Sequence, residues 1–266
     1  AKKDYSGVAM LIRKGGTAEG GEVTAGYECE DEIVQTEGRL LTLKAPELPT
    51  VIATYVPNSG QRLDRLQYRC ETWDRGLATY VKGLGNTIVI GDLNCCHLPE
   101  DIHNMYTRPN FDQMRSGEVP VPEQYKGLSG PAKQAGLTVE ERESFSRLLE
   151  DADLVDAFRA KNSDVDIDGP NFSYRGAAGD GGRGRYYGKG MRIDHALVSV
   201  KLGVAACELL GRGAERVGFM GSDHCPLRLV LGGGGESLVV LGSQSGATID
   251  GRAVEAPVAA PPRPWP

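Results

Sequence analysis

Two short polar motifs next to apolar segments constrain this chain more than any other feature. Residues 87–90 (TIVI) predict a buried strand that ends at Gly91-Asp92-Leu93-Asn94. Gly221-Ser222-Asp223-His224 lies between the apolar segments 217–220 (VGFM) and 227–231 (LRLVL), which predicts a loop. A buried strand delivers polar side chains to the surface where it ends, so we expect Asp92 and Asn94 at the edge of the core.

A third polar motif lies between these two. Residues 191–198 (MRIDHALV) alternate as a strand does and carry Asp194 within the run. A single Gly-Asp or Asp-His pair is usually a turn or an exposed polar pair. Three motifs in this order, with Asp, Asn, Asp, Asp and His as their polar members, favour a metal-dependent hydrolase.

These residue types suit the hydrolysis of a phosphodiester, which needs an activated water and stabilisation of charge on the phosphoryl oxygens. Asp92 is predicted to orient or deprotonate the water, and Asn94 to hydrogen-bond the water or the phosphate. His224 as imidazolium would stabilise phosphoryl charge, with Asp194 fixing its tautomer. Asp223 is a hard oxygen ligand suited to Mg²⁺.

The rest of the chain predicts an α/β protein. Residues 40–43 and 51–55 predict adjacent strands, and residues 63–84 keep the apolar spacing of a helix. A capping box of Thr138 and Glu141 begins a second helix. The residues predicted to face the core from this helix are Phe145, Leu148, Leu149 and Ala152. Strands and helices do not alternate strictly, which argues against a doubly wound nucleotide-binding fold.

The three motifs resemble those of the exonuclease III/apurinic endonuclease family, which shares the deoxyribonuclease I-like fold of the endonuclease/exonuclease/phosphatase superfamily. The sequences that carry the resemblance are GDLN, MRIDHALVS and GSDHCPLRL, and it covers residues 2–231 in family order. Residues 55–60 (YVPNSG) favour the eukaryotic-type branch. The resemblance implies two packed mixed β-sheets flanked by helices, a four-layer α/β sandwich.

The resemblance also implies a function. It is that of a DNA repair endonuclease that hydrolyses the phosphodiester 5′ to an abasic site, with 3′-phosphodiesterase or 3′–5′ exonuclease activity beside it. The implied cofactor is Mg²⁺, with Mn²⁺ as a substitute, and the implied ligands are Asp92, Asn94, Asp223 and His224. The implied catalytic residues are Tyr55, Asp92, Asn94, Asp194, Asp223 and His224. Tyr5, Arg39 and Asn58 match DNA-contacting positions, and the substrate is double-stranded DNA bound by a monomer.

Residues 175–192 form a basic, glycine-rich segment directly before Asp194. Arg183, Arg185 and Lys189 would neutralise phosphates, and glycines would let the backbone approach the duplex. The alternative is a solvated loop without a ligand. Because the corresponding loop of the family enters DNA near the lesion, we favour contact with the substrate.

Composition sets wider limits. The formal net charge of −6 argues against a uniformly basic nucleic-acid-binding protein, and no apolar run is long enough to span a membrane. Six cysteines without a C-x-x-C pair predict reduced thiols and an intracellular location. The resemblance implies the nucleus and leaves an organelle open.

The predicted domain covers residues 1–231, with a surface insertion at 98–135. Residues 232–266 predict a Gly/Pro-rich linker or tail, either unstructured or the start of another module, whose PPRPWP end suits binding to a partner.

Several departures from the family pattern leave alternatives open. The family's first strand and its metal-binding Glu find no match, so the first strand of the fold is predicted to be missing. One alternative is therefore a catalytically impaired DNA-binding fragment. Another is a small-substrate phosphodiesterase or phosphatase of the same superfamily. Met191 replaces a usual tryptophan and Gln61 a frequent arginine, which weakens the expectation of lesion specificity. His97 matches a family position near the site but is predicted to be structural, and His103 and His195 are predicted to be ordinary surface or packing residues.

Overall fold

The structure is a computed structural model that describes residues 6–29, 31–102, 135–162, 171–175, 190–212, 217–232 and 240–242. Its strands are β1 (Glu22–Ala25), β2 (Leu40–Lys44), β3 (Thr50–Thr54), β4 (Thr87–Asp92), β5 (Leu154–Asp156), β6 (Asp194–Ser199), β7 (Val204–Leu209), β8 (Leu227–Leu231) and β9 (Val240–Gly242). Its α-helices are α1 (Glu32–Thr36), α2 (Asp74–Lys82), α3 (Val139–Asp151) and α4 (Ala157–Lys161).

The larger sheet has six strands in the order β1-β2-β3-β4-β6-β5. It is mixed, because β3 and β4 run parallel while every other neighbouring pair is antiparallel. The strands predicted at 40–43, 51–55 and 87–90 are confirmed. The strand predicted from residue 191 begins at Asp194, because Met191 instead makes single bridges to Ile102 and Tyr174.

Side chains on alternate positions of the central strands face two different cores. Val89 and Leu197 pack with Trp73, Leu77 and Phe145, which come from the helical side. The neighbouring positions of the same strands, Ile88, Ile90, Ala196 and Val198, pack with Cys207, Leu209, Leu227 and Leu229 of the second sheet. Strands with both faces buried explain why these runs are apolar without interruption.

The second sheet contains β7, β8 and β9 in that order. The predicted α/β class of two packed sheets with helices is confirmed, although the smaller sheet is antiparallel and not mixed in the two pairings that the described residues make. The sequence predicts a linker from residue 232, yet Val240–Gly242 pairs with β8. This third strand covers the edge that β8 would otherwise expose, and the boundary of the domain at residue 231 stays a prediction. Most of the predicted insertion, residues 103–134, and the tail from 243 lie outside the described residues.

One of the two predicted helices begins later than the sequence predicts, and the other begins at the predicted residue. Leu63 has φ 59°, a left-handed conformation that a right-handed helix excludes, so the first helix begins later. It runs through a π-helical segment, Tyr68–Trp73, into α2. The second begins as predicted, because Thr138 caps α3 and Glu141 completes the capping box. None of the described helices is long and apolar enough to cross a membrane.

Candidate active site

A pair of aspartates on neighbouring strands lies at the centre of the candidate site. Asp92 ends β4 and Asp194 begins β6, and the antiparallel register places the two residues opposite each other. Both are buried, with 4% and 2% exposure. Gly91 precedes the first aspartate with φ 142°, and a Cβ there would lie 2.0 Å from the carbonyl oxygen of Thr54. Glycine at this position therefore lets the backbone adopt this conformation while β3 stays close.

His224 completes a buried cluster with these aspartates. Its Nδ1 lies 2.7 Å from Oδ2 of Asp194, so the ring donates to that carboxylate and leaves Nε2 for another partner. Residues 171–175 hold this arrangement from both sides: Cys225 N–H donates to the carbonyl of Ser173, and Ser173 Oγ accepts from the N–H of Asp194. The ring of Tyr174 lies 4.9 Å from the imidazole, between centroids. Sequence reasoning missed Ser173 and Tyr174, which carry no motif.

The charges of the cluster shift one another's pKa values. Burial, and then the charge of Asp194, raise the pKa of Asp92 to about 7. Burial lowers the pKa of His224, but the charge and hydrogen bond of Asp194 outweigh it and raise that pKa to about 9. Burial also works against ionised Asp194, yet His224 outweighs it and lowers its pKa. At neutral pH the pair is an imidazolium and a carboxylate, while Asp92 is poised to exchange a proton.

Asn94 and Asn58 form a polar link beside this cluster. The N–H of Asn94 donates to Oδ1 of Asp92 over 2.8 Å, and its side-chain amide donates to the carbonyl of Val56. Asn58 is exposed and donates from Nδ2 to Oδ1 of Asn94 over 3.0 Å. The structure thus brings together Asp92, Asn94 and Asn58, which the sequence predicted for one site.

Tyr55 and Arg39 contact each other next to this link. The guanidinium of Arg39 lies 4.8 Å from the centroid of the Tyr55 ring, and its Nη1 donates to the carbonyl of Tyr55. Arg39 is only 1% exposed, and its Nε donates to Glu37 over 2.6 Å. Direct contact of Arg39 with DNA stays a prediction, whereas its contact with Tyr55 is observed.

The predicted metal ligands do not make a complete site in this arrangement. Within the described residues there is no group of three or more His, Cys, Asp or Glu side chains that could hold a metal ion. The side-chain oxygen of Asn94 accepts from Asn58, and Nδ1 of His224 is bonded to Asp194. Asp92 and the half-buried Asp223 remain as oxygen donors of the type that Mg²⁺ prefers.

Arg192 shows a buried charge network that sequence reasoning missed. It is fully buried, and its guanidinium donates to Asp101 over 2.8 Å and to Asp156 over 2.6 Å. The sequence counts Arg192 and Arg175 with the basic segment, but both are buried, so they are not part of a phosphate-facing surface. A buried arginine needs counter-charges, and these come from distant parts of the chain, so no local pattern identifies them.

Two of the three histidines predicted to lie outside the catalytic machinery belong to the described residues, and both are packing residues. His195 is buried and bonds through Nε2 to the carbonyl of Cys95. His97 stacks on Phe145 and bonds to Ser146, and burial lowers its pKa to about 4. His103 and four predicted DNA-contacting residues lie outside the described residues: Tyr5, Arg183, Arg185 and Lys189.

This chain is similar to known proteins along most of its length. The chain is 34% identical over 233 residues to "DNA repair nuclease APEX1" from Danio rerio, covering 86% of this chain and 62% of that protein. It is 31% identical over 233 residues to the exodeoxyribonuclease of Bacillus subtilis, covering 86% and 76%. The crystal structure of the AP endonuclease LMAP from Leishmania major superposes with a TM-score of 0.56 at 26% identity, over 79% of this chain and 60% of that one.

These matches cover most of this chain but a smaller share of some of the relatives. The chain spans 62% and 60% of the lengths of two of the curated relatives, from Danio rerio and Arabidopsis thaliana. A family model nevertheless matches residues 1–224, which include every residue of the cluster described above. This chain belongs to the Endonuclease/Exonuclease/phosphatase family.

Proposed function

We propose that this chain acts in DNA repair as an endonuclease that hydrolyses the phosphodiester 5′ to an abasic site. The observation that carries the proposal is the buried cluster of Asp92, Asp194 and His224, whose proton-transfer and charge-stabilising groups lie within one site. The relative from Arabidopsis thaliana, 31% identical over 238 residues, is a "DNA-(apurinic or apyrimidinic site) endonuclease", which supports an abasic substrate.

In the proposed reaction Asp92 acts on the attacking water. In the metal-free protein, burial and the charge of Asp194 raise the pKa of Asp92 to about 7, which makes its carboxylate a suitable proton acceptor for the water. Asn94 holds one oxygen of this carboxylate through its backbone N–H, so the other oxygen is the one left for the water. Asn58, exposed beside it, hydrogen-bonds the substrate.

His224 acts on the phosphoryl group in the same proposal. Asp194 accepts from Nδ1 and keeps the ring protonated, since the pKa of the imidazole is raised to about 9. The proton on Nε2 then stabilises negative charge that develops on a phosphoryl oxygen. Tyr55, which is half-buried and lies three residues before Asn58 in the chain, is proposed to contact the phosphate or the sugar.

Members of this family depend on a divalent metal ion. We propose Mg²⁺, with Mn²⁺ able to replace it, because the remaining donors, Asp92 and Asp223, are hard carboxylate oxygens. The ion would supply positive charge for the phosphate. The described side chains do not complete a site for it, so the steps above concern only what the protein's own groups do.

The proposed partner is double-stranded DNA that contains abasic sites, bound by a monomer. Tyr5, Arg183, Arg185 and Lys189 are the proposed contacts to its backbone, in addition to Asn58. Arg39, the other residue predicted to contact DNA, is only 1% exposed and is proposed to support Tyr55, which it touches. We further propose a nuclear location, and a protein partner for the Pro-rich end of residues 232–266.

Cleavage of an abasic duplex tests the function. We expect Mg²⁺-dependent incision of a duplex with a tetrahydrofuran abasic analogue and little incision of the same duplex with an intact base. His224→Asn should lower kcat by about 10²-fold to 10⁴-fold, because it removes the imidazolium charge that stabilises the phosphoryl group in the transition state. His97→Asn is the matched control: the residue is partly buried and stacks on Phe145 instead of joining the cluster, so kcat should change little. Equal losses in both variants would contradict the proposed role of His224.

One observation favours a second candidate, a DNA-binding protein with impaired catalysis. The described residues do not supply three metal-ligating side chains in one place, and fewer carboxylates hold Mg²⁺ more weakly. This candidate predicts tight binding of the abasic duplex and no incision at millimolar Mg²⁺. Faster hydrolysis of a small phosphodiester, such as bis(p-nitrophenyl) phosphate, than of DNA would contradict both candidates.

A further inference from the structure

Arg69 is buried in the protein interior but reaches the backbone of the candidate site. It lies in the π-helical segment before α2 and is 1% exposed. Its Nη2 donates to the carbonyl of Leu93 over 2.6 Å, and its Nη1 donates to the carbonyl of Asn94 over 2.7 Å. One planar guanidinium thus holds the two residues that directly follow Asp92.

The backbone that Arg69 holds has an unusual conformation. Asn94 has φ 50°, in the left-handed region that residues with a Cβ seldom adopt. In this conformation its N–H faces Asp92, its amide donates to Val56, and its Oδ1 accepts from Asn58. Loss of the hydrogen bonds to its carbonyl would therefore release the residue that links Asp92 to Asn58.

Glu141 connects Arg69 to the second polar loop of the site. Its Oε1 lies 3.4 Å from Nη1 of Arg69 and accepts from the hydroxyl of Ser59 over 2.5 Å. Ser59 follows Asn58 directly in the chain. The other carboxylate oxygen accepts from the backbone of Gly136 and Thr138 at the start of α3. One buried ion pair therefore holds the loop of Asn58 and the loop of Asn94 in a fixed relation.

We propose that Arg69, held by Glu141, is a positioning residue that sets the Asn58–Asn94 pair against Asp92 for the reaction. The inference rests on the proposed function, because it assumes that Asn94 and Asn58 act on the substrate. Arg69 itself touches neither water nor phosphate in this role. Misplacement of reacting groups by about 1 Å can lower a rate by about 10²-fold, so an anchor of this kind controls kcat from outside the site.

Arg69→Lys tests the two hydrogen bonds from Arg69 to the carbonyls of Leu93 and Asn94 while it keeps the positive charge. Lysine keeps a cation beside Glu141 but has a single point charge instead of a fork, so it cannot hold both carbonyls with the same geometry. We expect kcat on the abasic duplex to fall by about 10²-fold while KM changes less than about 3-fold.

Asp74→Asn is the matched control. Asp74 lies in the same buried cluster, 3.8 Å from Nε of Arg69, and bonds to Ser144 away from the site. It should lower stability as Arg69→Lys does, and leave kcat within about 3-fold of the native chain, because the anchor to Leu93 and Asn94 is intact. An equal fall of kcat in both variants, measured where each is fully folded, would overturn the proposal.

A double-mutant cycle with Asn94→Ala separates positioning from general damage. If Arg69 acts through Asn94, the double variant is no slower than Asn94→Ala alone. Fully multiplicative losses would overturn the proposal.

Hydrogen exchange gives a readout that does not need activity. The N–H of Asn94, bonded to Asp92, should exchange at least about 10-fold faster in Arg69→Lys, while the N–H of Val89 within β4 should not change. Unchanged exchange at Asn94 would overturn the positioning role. If the native chain does not cleave abasic DNA at all, the proposed function fails, while this exchange measurement still decides whether Arg69 fixes the loop.

Discussion

Removing Arg192 should destabilise the protein strongly, because its guanidinium is the shared counter-charge of two buried carboxylates. Its Nε lies 2.8 Å from Oδ1 of Asp101, and its Nη2 lies 2.6 Å from Oδ2 of Asp156. The side chains of Arg192 and Asp101 are fully buried, and that of Asp156 is 7% exposed. Removing one partner of a buried ion pair costs about 3–5 kcal/mol, since the other charge stays buried without compensation.

Charged groups next to Asp101 and Asp156 determine which value within about 3–5 kcal/mol we expect for the loss of stability. Arg159 still contacts Asp101, and Nδ1 of His195 lies 3.6 Å from Asp156, so each carboxylate keeps one partial partner. We therefore expect Arg192→Met to lower the free energy of unfolding by about 3 kcal/mol. Urea unfolding, followed by the fluorescence of the buried Trp73, should show a midpoint lower by about 1–2 M.

Arg228→Met is the control for the loss of an arginine as such. Arg228 pairs with Glu208 on the second sheet, where the two side chains are 38% and 45% exposed. Exposed pairs contribute about 0–1 kcal/mol, so this variant should unfold close to the native midpoint. If both variants have the same midpoint, burial of the Arg192 network does not stabilise the fold and the reasoning is wrong.

Acid should weaken the same network in the native chain. Burial alone would raise the pKa of Asp101, but Arg192 and Arg159 outweigh it and lower that pKa from 3.8 to about 2. A depressed carboxyl pKa contributes stability that is present above the unfolded value and is lost as the pH falls through the folded value. Between pH 4 and 2 the native chain should therefore lose about 2 kcal/mol through Asp101, and Arg192→Met should lose less.

Three further changes test the site, the proposed DNA contacts and a helix cap. Asp92→Asn should lower kcat on the abasic duplex by at least about 10²-fold with little change in the Kd for DNA, and near-native turnover would contradict the proposed mechanism. Replacing Arg183, Arg185 and Lys189 by Gln should reduce the salt dependence of DNA binding by about 2–3 in the slope of log K against log salt; an unchanged slope would mean that these residues do not contact phosphates. Thr138→Ala should lower the free energy of unfolding by about 1 kcal/mol in urea titrations, because α3 loses its cap, while Thr138→Ser should lose much less.

Local chemistry made part of this architecture predictable from the sequence. The apolar run before Asp92 predicts a strand buried on both faces, and β4 is such a strand. Thr138 and Glu141 predict a helix start, and the capping box is present. Each of these patterns records an interaction between residues a few positions apart, so the order of residues carries the information.

Tertiary structure decided the features that depend on distant partners. The register of β4 with β6 places Asp92 beside Asp194, where burial and then the charge of Asp194 raise the pKa of Asp92. His224, from a distant loop, outweighs the effect of burial and lowers the pKa of Asp194. Arg192 belongs to a basic segment in the sequence and to a buried network in the fold. Arg69 has no motif, yet it holds the backbone of Asn94 from a helix on another part of the chain. Burial and counter-charge are properties of neighbours in space, and so the sequence determines the chemical groups of this site while the packed fold determines what each group does.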